Sequence, residues 1–205
     1  MLYKLLVFVF ILFSFSCQIK AQESTDTTAN NYDKILTQRE KDAAAKKTDS
    51  LGSLITKIDF KVKTDNLTDF EDGFIHWVEL ENPEKDLKKL TDKDEVVITA
   101  NKVTVIIDYP LTNECKFELT STNGFTREQL VNDISNKYHE IYKEEEATAV
   151  VKTVPAGQRT TTYNRNQTNG KYGIWGHDLA DLALDHILVY KASNGDIILS
   201  LDIDS

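Results

Sequence analysis

The amino-acid sequence predicts an α+β domain, a mainly antiparallel sheet with one long helix packed on one face, preceded by a signal peptide and a polar spacer. Three observations carry that prediction. A doubly capped amphipathic helix begins at Thr126, short runs of alternating apolar and polar residues lie on both sides of it, and the chain closes on a hairpin around Ser193-Asn194-Gly195.

Taken in order, Lys4 precedes an unbroken apolar run from Leu5 to Phe13, and a serine-rich tail, Ser14-Phe15-Ser16, follows. Such a run, closed by Cys17, Gln18 and Lys20, is too short to span a bilayer, which takes about 20 apolar residues. It reads as a secretory leader. Ile19-Lys20-Ala21 places cleavage after Ala21, which divides the chain into a leader at 1–21, a spacer at 22–55 and a single domain at 56–205. The alternative is a lipoprotein, cut before Cys17 and acylated there. Either route gives an exported, periplasmic or extracellular protein.

Of 205 residues, 24 are basic and 33 acidic, a formal charge of −9. Losing Lys4 and Lys20 with the leader leaves 22 basic against 33 acidic residues, or −11. Nucleic-acid and anionic-membrane surfaces need clustered Lys and Arg, whereas the basic residues here are scattered among acids, so neither partner is expected. The two cysteines are Cys17 and Cys115, and processing removes or modifies the first. The domain is therefore held together by packing and not by an internal disulfide.

The segment from Gln22 to about Ile55 is polar and buries too little to offset its ordering entropy, so a spacer is expected, with a loose helix from Tyr32 to Lys47. Beyond it, Ile58, Phe60 and Val62 alternate with charged residues as a half-buried strand does. Gly73 to Leu80 is apolar enough for another strand, with a helix as the alternative, and Pro83 to Leu90 predicts a short helix with proline in its first turn. Glu95–Ile98, Lys102–Tyr109 and Cys115–Ser121 predict successive strands of an antiparallel meander, with Cys115, Phe117 and Leu119 on the core side. A thiol so placed behaves as a small hydrophobe and not as a nucleophile.

Thr126 and Gln129 form a capping box, Phe125 and Leu130 have staple spacing, and Leu130, Val131, Ile134, Tyr138, Ile141 and Tyr142 make one apolar stripe. Glu144, Glu145 and Glu146 close the helix, where the dipole disfavours negative charge; a frayed, solvated end is the expectation. The final hairpin pairs His186–Lys191 with Asp196–Ile203.

Between these elements, Pro155 to His186 is the informative stretch. Its first half shows no apolar period, yet it carries aromatics that a solvated linker would not bury. Flat rings, amides and guanidinium groups suit a polar ligand such as a glycan or a peptide, and the candidate binding residues are Tyr163, Arg165, Asn169, Tyr172, Trp175, His177 and Asp178 in the 157–178 loop. The plainer alternative is a loop pinned to the domain by Tyr172, Ile174 and Trp175. A helix capped by Asp178 would put Asp178, Asp181 and Asp185 on one face beside His177, a grouping that could hold a cation or act as acid and base.

The grammar of known chemistries is missing. His139-Glu140 is followed by Ile141, Tyr142 and Lys143 and not by a second histidine, and there is no calcium-type acidic loop, no G-x-S-x-G, no P-loop and no dinucleotide turn. No metal or cofactor is expected. The sequence thus points to an exported, non-catalytic binding or interaction module for a glycan or peptide. A secreted hydrolase using Asp178, Asp181 and His177 is the second reading, and an envelope assembly component that pairs through a sheet edge is the third.

Overall fold

The structure, a computed structural model, describes residues 19–45, 49–159 and 165–205, with the side chains of residues 19–30 and 49 left aside. The leader up to Gln18, Cys17 included, lies outside the described residues, and so does Tyr163. The chain forms two units, Met1–Lys41 and Asp42–Ser205. In the first, helix α1 (Ile19–Ala44) crosses the expected cleavage point at Ala21 and covers most of the expected spacer. No described helix is long and apolar enough to cross a membrane.

The second unit is α+β with a mainly antiparallel sheet and one long helix. Its strands are β1 (Ser53–Asp59), β2 (Val62–Lys63), β3 (Phe74–Ile75), β4 (Val78–Glu79), β5 (Val96–Ile98), β6 (Lys102–Ile107), β7 (Cys115–Thr120), β8 (Phe125–Thr126), β9 (Ala183–Lys191) and β10 (Ile197–Asp204). Helix α2 spans Glu84–Leu87 and helix α3 spans Arg127–Thr148. The main sheet runs β1-β9-β10-β6-β7, with β4 added beside the start of β9. Every pairing in it is antiparallel except β10 with β6, which is parallel and joins segments far apart in sequence.

Helix α3 starts where the capping box requires. The Thr126 hydroxyl accepts the Gln129 N–H at 3.2 Å, and the Gln129 side chain accepts the Thr126 N–H at 3.0 Å. Leu130, Val131, Ile134, Tyr138 and Ile141 are buried, in one cluster with Ile58, Val105, Ile107, Leu184, Ile187, Val189 and Leu199 of the sheet. Burying each such side chain contributes about 1.5–3 kcal/mol, so this stripe holds the helix firmly to the sheet. Tyr138 is wholly buried and donates its hydroxyl to the Tyr109 carbonyl at 2.8 Å, which avoids an unsatisfied group under the helix.

Strand β1 begins at Ser53, where it pairs with Lys191 of β9. Three sequence expectations are corrected. The Gly73–Leu80 strand is two short ones: Phe74–Ile75 pairs with β2, while Val78–Glu79 pairs with β9, so the chain changes sheets at His76-Trp77. The meander holds for β6 and β7 alone, since β5 pairs with β8 at the foot of α3. The helix after Asp178 is a single 3-10 turn, Leu179–Asp181, capped by Asp178, and the chain turns into β9 at Ala183. Leu184 must reach the core opposite Val78, and a strand does that where a continuing helix would not.

Entering β9, the register with β10 shifts between Asp202 and Ile203, which pair with His186 and Leu184, so Asp185 is the extra residue of a β-bulge. A bulge puts neighbouring side chains on the same side of the sheet. Asp185 and His186 are consequently within bonding reach of each other.

Candidate functional site

The loop from Pro155 to Asp178 is fastened to the C-terminal end of α3 by a carboxylate. Glu145 is fully buried and accepts main-chain N–H groups from Gly170 at 2.7 Å, Tyr172 at 2.8 Å and Gly173 at 3.1 Å. Burial raises its pKa, but hydrogen bonds from Thr168 and these three amides outweigh burial and hold it below the ordinary 4.5. Its neighbour Glu144 accepts the Tyr172 hydroxyl at 2.6 Å and pairs with Lys171 at 2.7 Å. The frayed, solvated helix end is therefore corrected for the buried Glu145; Glu144 is exposed but tied to Tyr172 and Lys171, and both acids anchor the loop.

The same anchoring decides where the sequence-predicted site residues sit. Arg165 is buried, its guanidinium lies 5.1 Å from the centre of the Tyr142 ring, and it donates to the Thr153 hydroxyl. The Asn169 side-chain oxygen accepts the N–H groups of Val150 at 3.0 Å and Val151 at 2.7 Å. Tyr172 and Trp175 are buried, the latter edge-on to Tyr109 with ring centres 5.2 Å apart. His177 is half-buried beside both rings, 5.6 Å from Tyr109 and 6.0 Å from Trp175, and its carbonyl accepts the Tyr142 hydroxyl at 2.9 Å. Asp178 takes a two-pronged bond from Arg159, at 2.5 and 3.0 Å. Of these side chains Trp175 and His177 come together, whereas Arg165, Asn169, Tyr172 and Asp178 are bonded to Thr153, to the Val150 and Val151 amides, to Glu144 and to Arg159.

The carboxylates once grouped with His177 also separate. Asp181 accepts the Asp178 N–H at 2.8 Å, closing the 3-10 turn, while Asp185 sits at the bulge. There, His186 is held between two acids, with Nδ1 2.8 Å from Asp185 and Nε2 3.3 Å from Asp202. Their atoms lie close enough to share an ion. Both ring nitrogens already face a carboxylate, however, and the Lys57 ammonium feels Asp185 and Asp202 nearby, so internal charge already serves these acids. The arrangement reads as a tie across β9 and β10.

A different feature has the form of a site. Between α2 and the middle of α3 lies a cleft of about 510 Å³. Its back is fixed by two side chains one turn apart on α3: the buried Ser135 hydroxyl donates to the Leu80 carbonyl at 2.7 Å, and His139 Nε2 lies 2.8 Å from the Glu81 carbonyl. Glu79 is positioned by its strand pairing and by its N–H bond to Asp86 at 3.0 Å. The walls carry Glu79, Glu81, Asn82 and Glu84 on one side with Lys85 and Lys88, and Asn132 and Asn136 on the other. Among the described residues the amides of Asn132 and Asn136, the ammonium groups of Lys85 and Lys88 and the Glu84 carboxylate take no side-chain or ionic partner.

Sequence reasoning passed over this cleft because it followed the apolar stripe of α3 and not the opposite face. The signal was available: Asn132 and Asn136 are a pair at i, i+4, and asparagine is a poor helix former that a solvated face gives no reason to repeat. No protein-family model matches the chain, and neither a curated protein nor a solved structure is similar to it.

Proposed function

We propose that the protein is an exported, non-catalytic binding module that recognises a polar ligand, glycan or peptide, in the cleft between α2 and α3. One observation carries this reading: free amides and free charges of both signs converge in a concavity of about 510 Å³, within the usual size of ligand sites. The described part of the 157–178 loop then acts as a strut at the far end of α3, with Asn169, Arg159 and Asp178 spent on bonds within the chain. Export rests on the leader ahead of Gln22.

Screening the full-length chain against arrays of glycans and of random linear peptides tests the reading. Asn136→Arg fills the cleft from an exposed helical position and should abolish the binding found, while His177→Ala should leave it unchanged. Binding lost with His177→Ala but not with Asn136→Arg would return the site to the loop, and binding to neither array would refute the proposal.

A second reading has its own support. Strand β1 lies at one edge of the sheet, and its Leu54 and Ile55 are 56% and 52% exposed. Apolar edge strands invite pairing with another chain, which fits an assembly component. Light scattering separates the two: a concentration-dependent oligomer that Ile55→Lys dissolves favours assembly.

A further inference from the structure

We infer that the cleft reads the main chain of an extended peptide, with Asn132 and Asn136 as the reading groups. This rests on the cleft being the ligand site. The repeats of helix and extended chain match. Residues four apart on an α-helix are separated by about 6 Å along its axis. In an extended chain, peptide groups that point the same way recur every second residue, about 6.6 Å apart.

Two asparagines at i, i+4 on one helical face can therefore each face one of two alternate residues along the same edge of a bound strand. The amide chemistry matches as well. An asparagine side chain offers one carbonyl and one NH₂ group, the complement of the N–H and C=O that a single residue of an extended chain turns to the same edge, and it can engage both at once.

The walls decide between peptide and glycan. A pyranose ring is gripped by stacking on a flat aromatic face, and the lining of the cleft holds no Phe, Tyr or Trp; its apolar part is Pro83. What it holds instead is Lys85, Lys88, Glu79 and Glu84, so charges of both signs line the cleft with the two amides. Such a border suits a peptide that carries acidic and basic side chains, or a free terminus, beside the two residues whose main chain is read.

Ser135 and His139 complete the device. They tie the Leu80 and Glu81 carbonyls to α3, which keeps the opposite wall at constant distance from the asparagines. A preformed groove spares the ligand part of the ordering cost.

The test begins with a peptide selected from a random linear library against the full-length protein, and with the same peptide N-methylated singly along its main chain. Asn132→Ala and Asn136→Ala should each weaken binding roughly tenfold, as loss of a paired polar contact does. Both replacements remove a poor helix former, from a half-buried position at Asn132 and an exposed one at Asn136, and neither side chain is bonded among the described residues, so thermal stability should hold or rise slightly, which separates lost recognition from lost folding. N-methylation at two positions two residues apart should be as damaging as the alanine substitutions.

Peptide binding indifferent to N-methylation, or to both alanine substitutions, would overturn main-chain recognition. Glycan binding that Asn136→Arg abolishes, with no peptide bound, would overturn the peptide inference and leave the cleft standing as the site. Binding of neither ligand class would remove both.

Discussion

The Glu145 carboxylate accepts the main-chain N–H of Tyr172 at 2.8 Å, and through that bond a residue at the last turn of α3 holds a loop 27 positions further along the chain. With Gly170 and Gly173 bound as well, three amides point at one buried acid. Removing it leaves those amides buried without an acceptor. Glu145→Ala should cost on the order of 3–5 kcal/mol in urea denaturation, the range for uncoupling a buried charge from its partners. Glu145→Gln, which keeps one carbonyl oxygen, should cost less. A loss no larger than about 1 kcal/mol for alanine would mean that the anchor is dispensable.

The same contact sets a pH dependence. Burial pushes the Glu145 carboxyl up, but the bonds from Thr168, Tyr172, Gly170 and Gly173 carry it below 4.5. A folded value under the unfolded one adds stability that is complete above the unfolded pKa and is lost as pH falls through the folded value. Glu144 is lowered too, through Lys171 and then Tyr172. The urea midpoint should therefore drop on acidification below about pH 4.5, with a shallower drop in Glu145→Gln. Equal slopes for the two proteins would show that other carboxylates dominate.

Arg165 offers a sharp separation of roles. Its guanidinium is enclosed over Tyr142 and bonded to Thr153, and its main-chain N–H donates to the Gly176 carbonyl at 2.8 Å. Arg165→Ala should lower stability by about 1–3 kcal/mol through lost packing and hydrogen bonding while ligand affinity at the cleft stays unchanged. Arg165→Lys should recover little, because an ammonium cannot stack as a planar guanidinium does. Normal stability with abolished binding would instead make this arginine a ligand contact.

What could be read from sequence follows the range of the interaction. The Thr126 cap and the turn at Ser193 to Gly195 are written in neighbouring residues, and both stand where local pattern puts them. The lock made by Glu145 spans 25 to 28 positions, so three glutamates in a row looked like a solvated end. The parallel pairing of β10 with β6 and the bulge at Asp185 likewise depend on strands that meet only after folding. For the site, composition marked the aromatic loop, but Arg165, Tyr172 and Trp175 are rich in contact groups because they are buried. A run of aromatics and arginine signals packing as readily as recognition.

Gly170 gives the lock its tightest test. A β-carbon there would lie 2.7 Å from the Glu145 carbonyl oxygen, from its Oε2 and from the Thr148 hydroxyl, and the first of these belongs to the helix backbone and cannot swing aside. Gly170→Ala must therefore lift the loop from the carboxylate, at a cost of about 1–3 kcal/mol. Gly157, in the same loop, has open space around the corresponding position, so Gly157→Ala should be nearly silent. If the damage runs through Glu145, the double variant Gly170→Ala with Glu145→Gln should lose less than the two single losses together, since each breaks the same contact. Amide exchange at Tyr172 and Gly173 should rise in Gly170→Ala and stay slow in Gly157→Ala. Equal effects of the two alanines, or strict additivity with Glu145→Gln, would mean that the loop is held by something other than this acid.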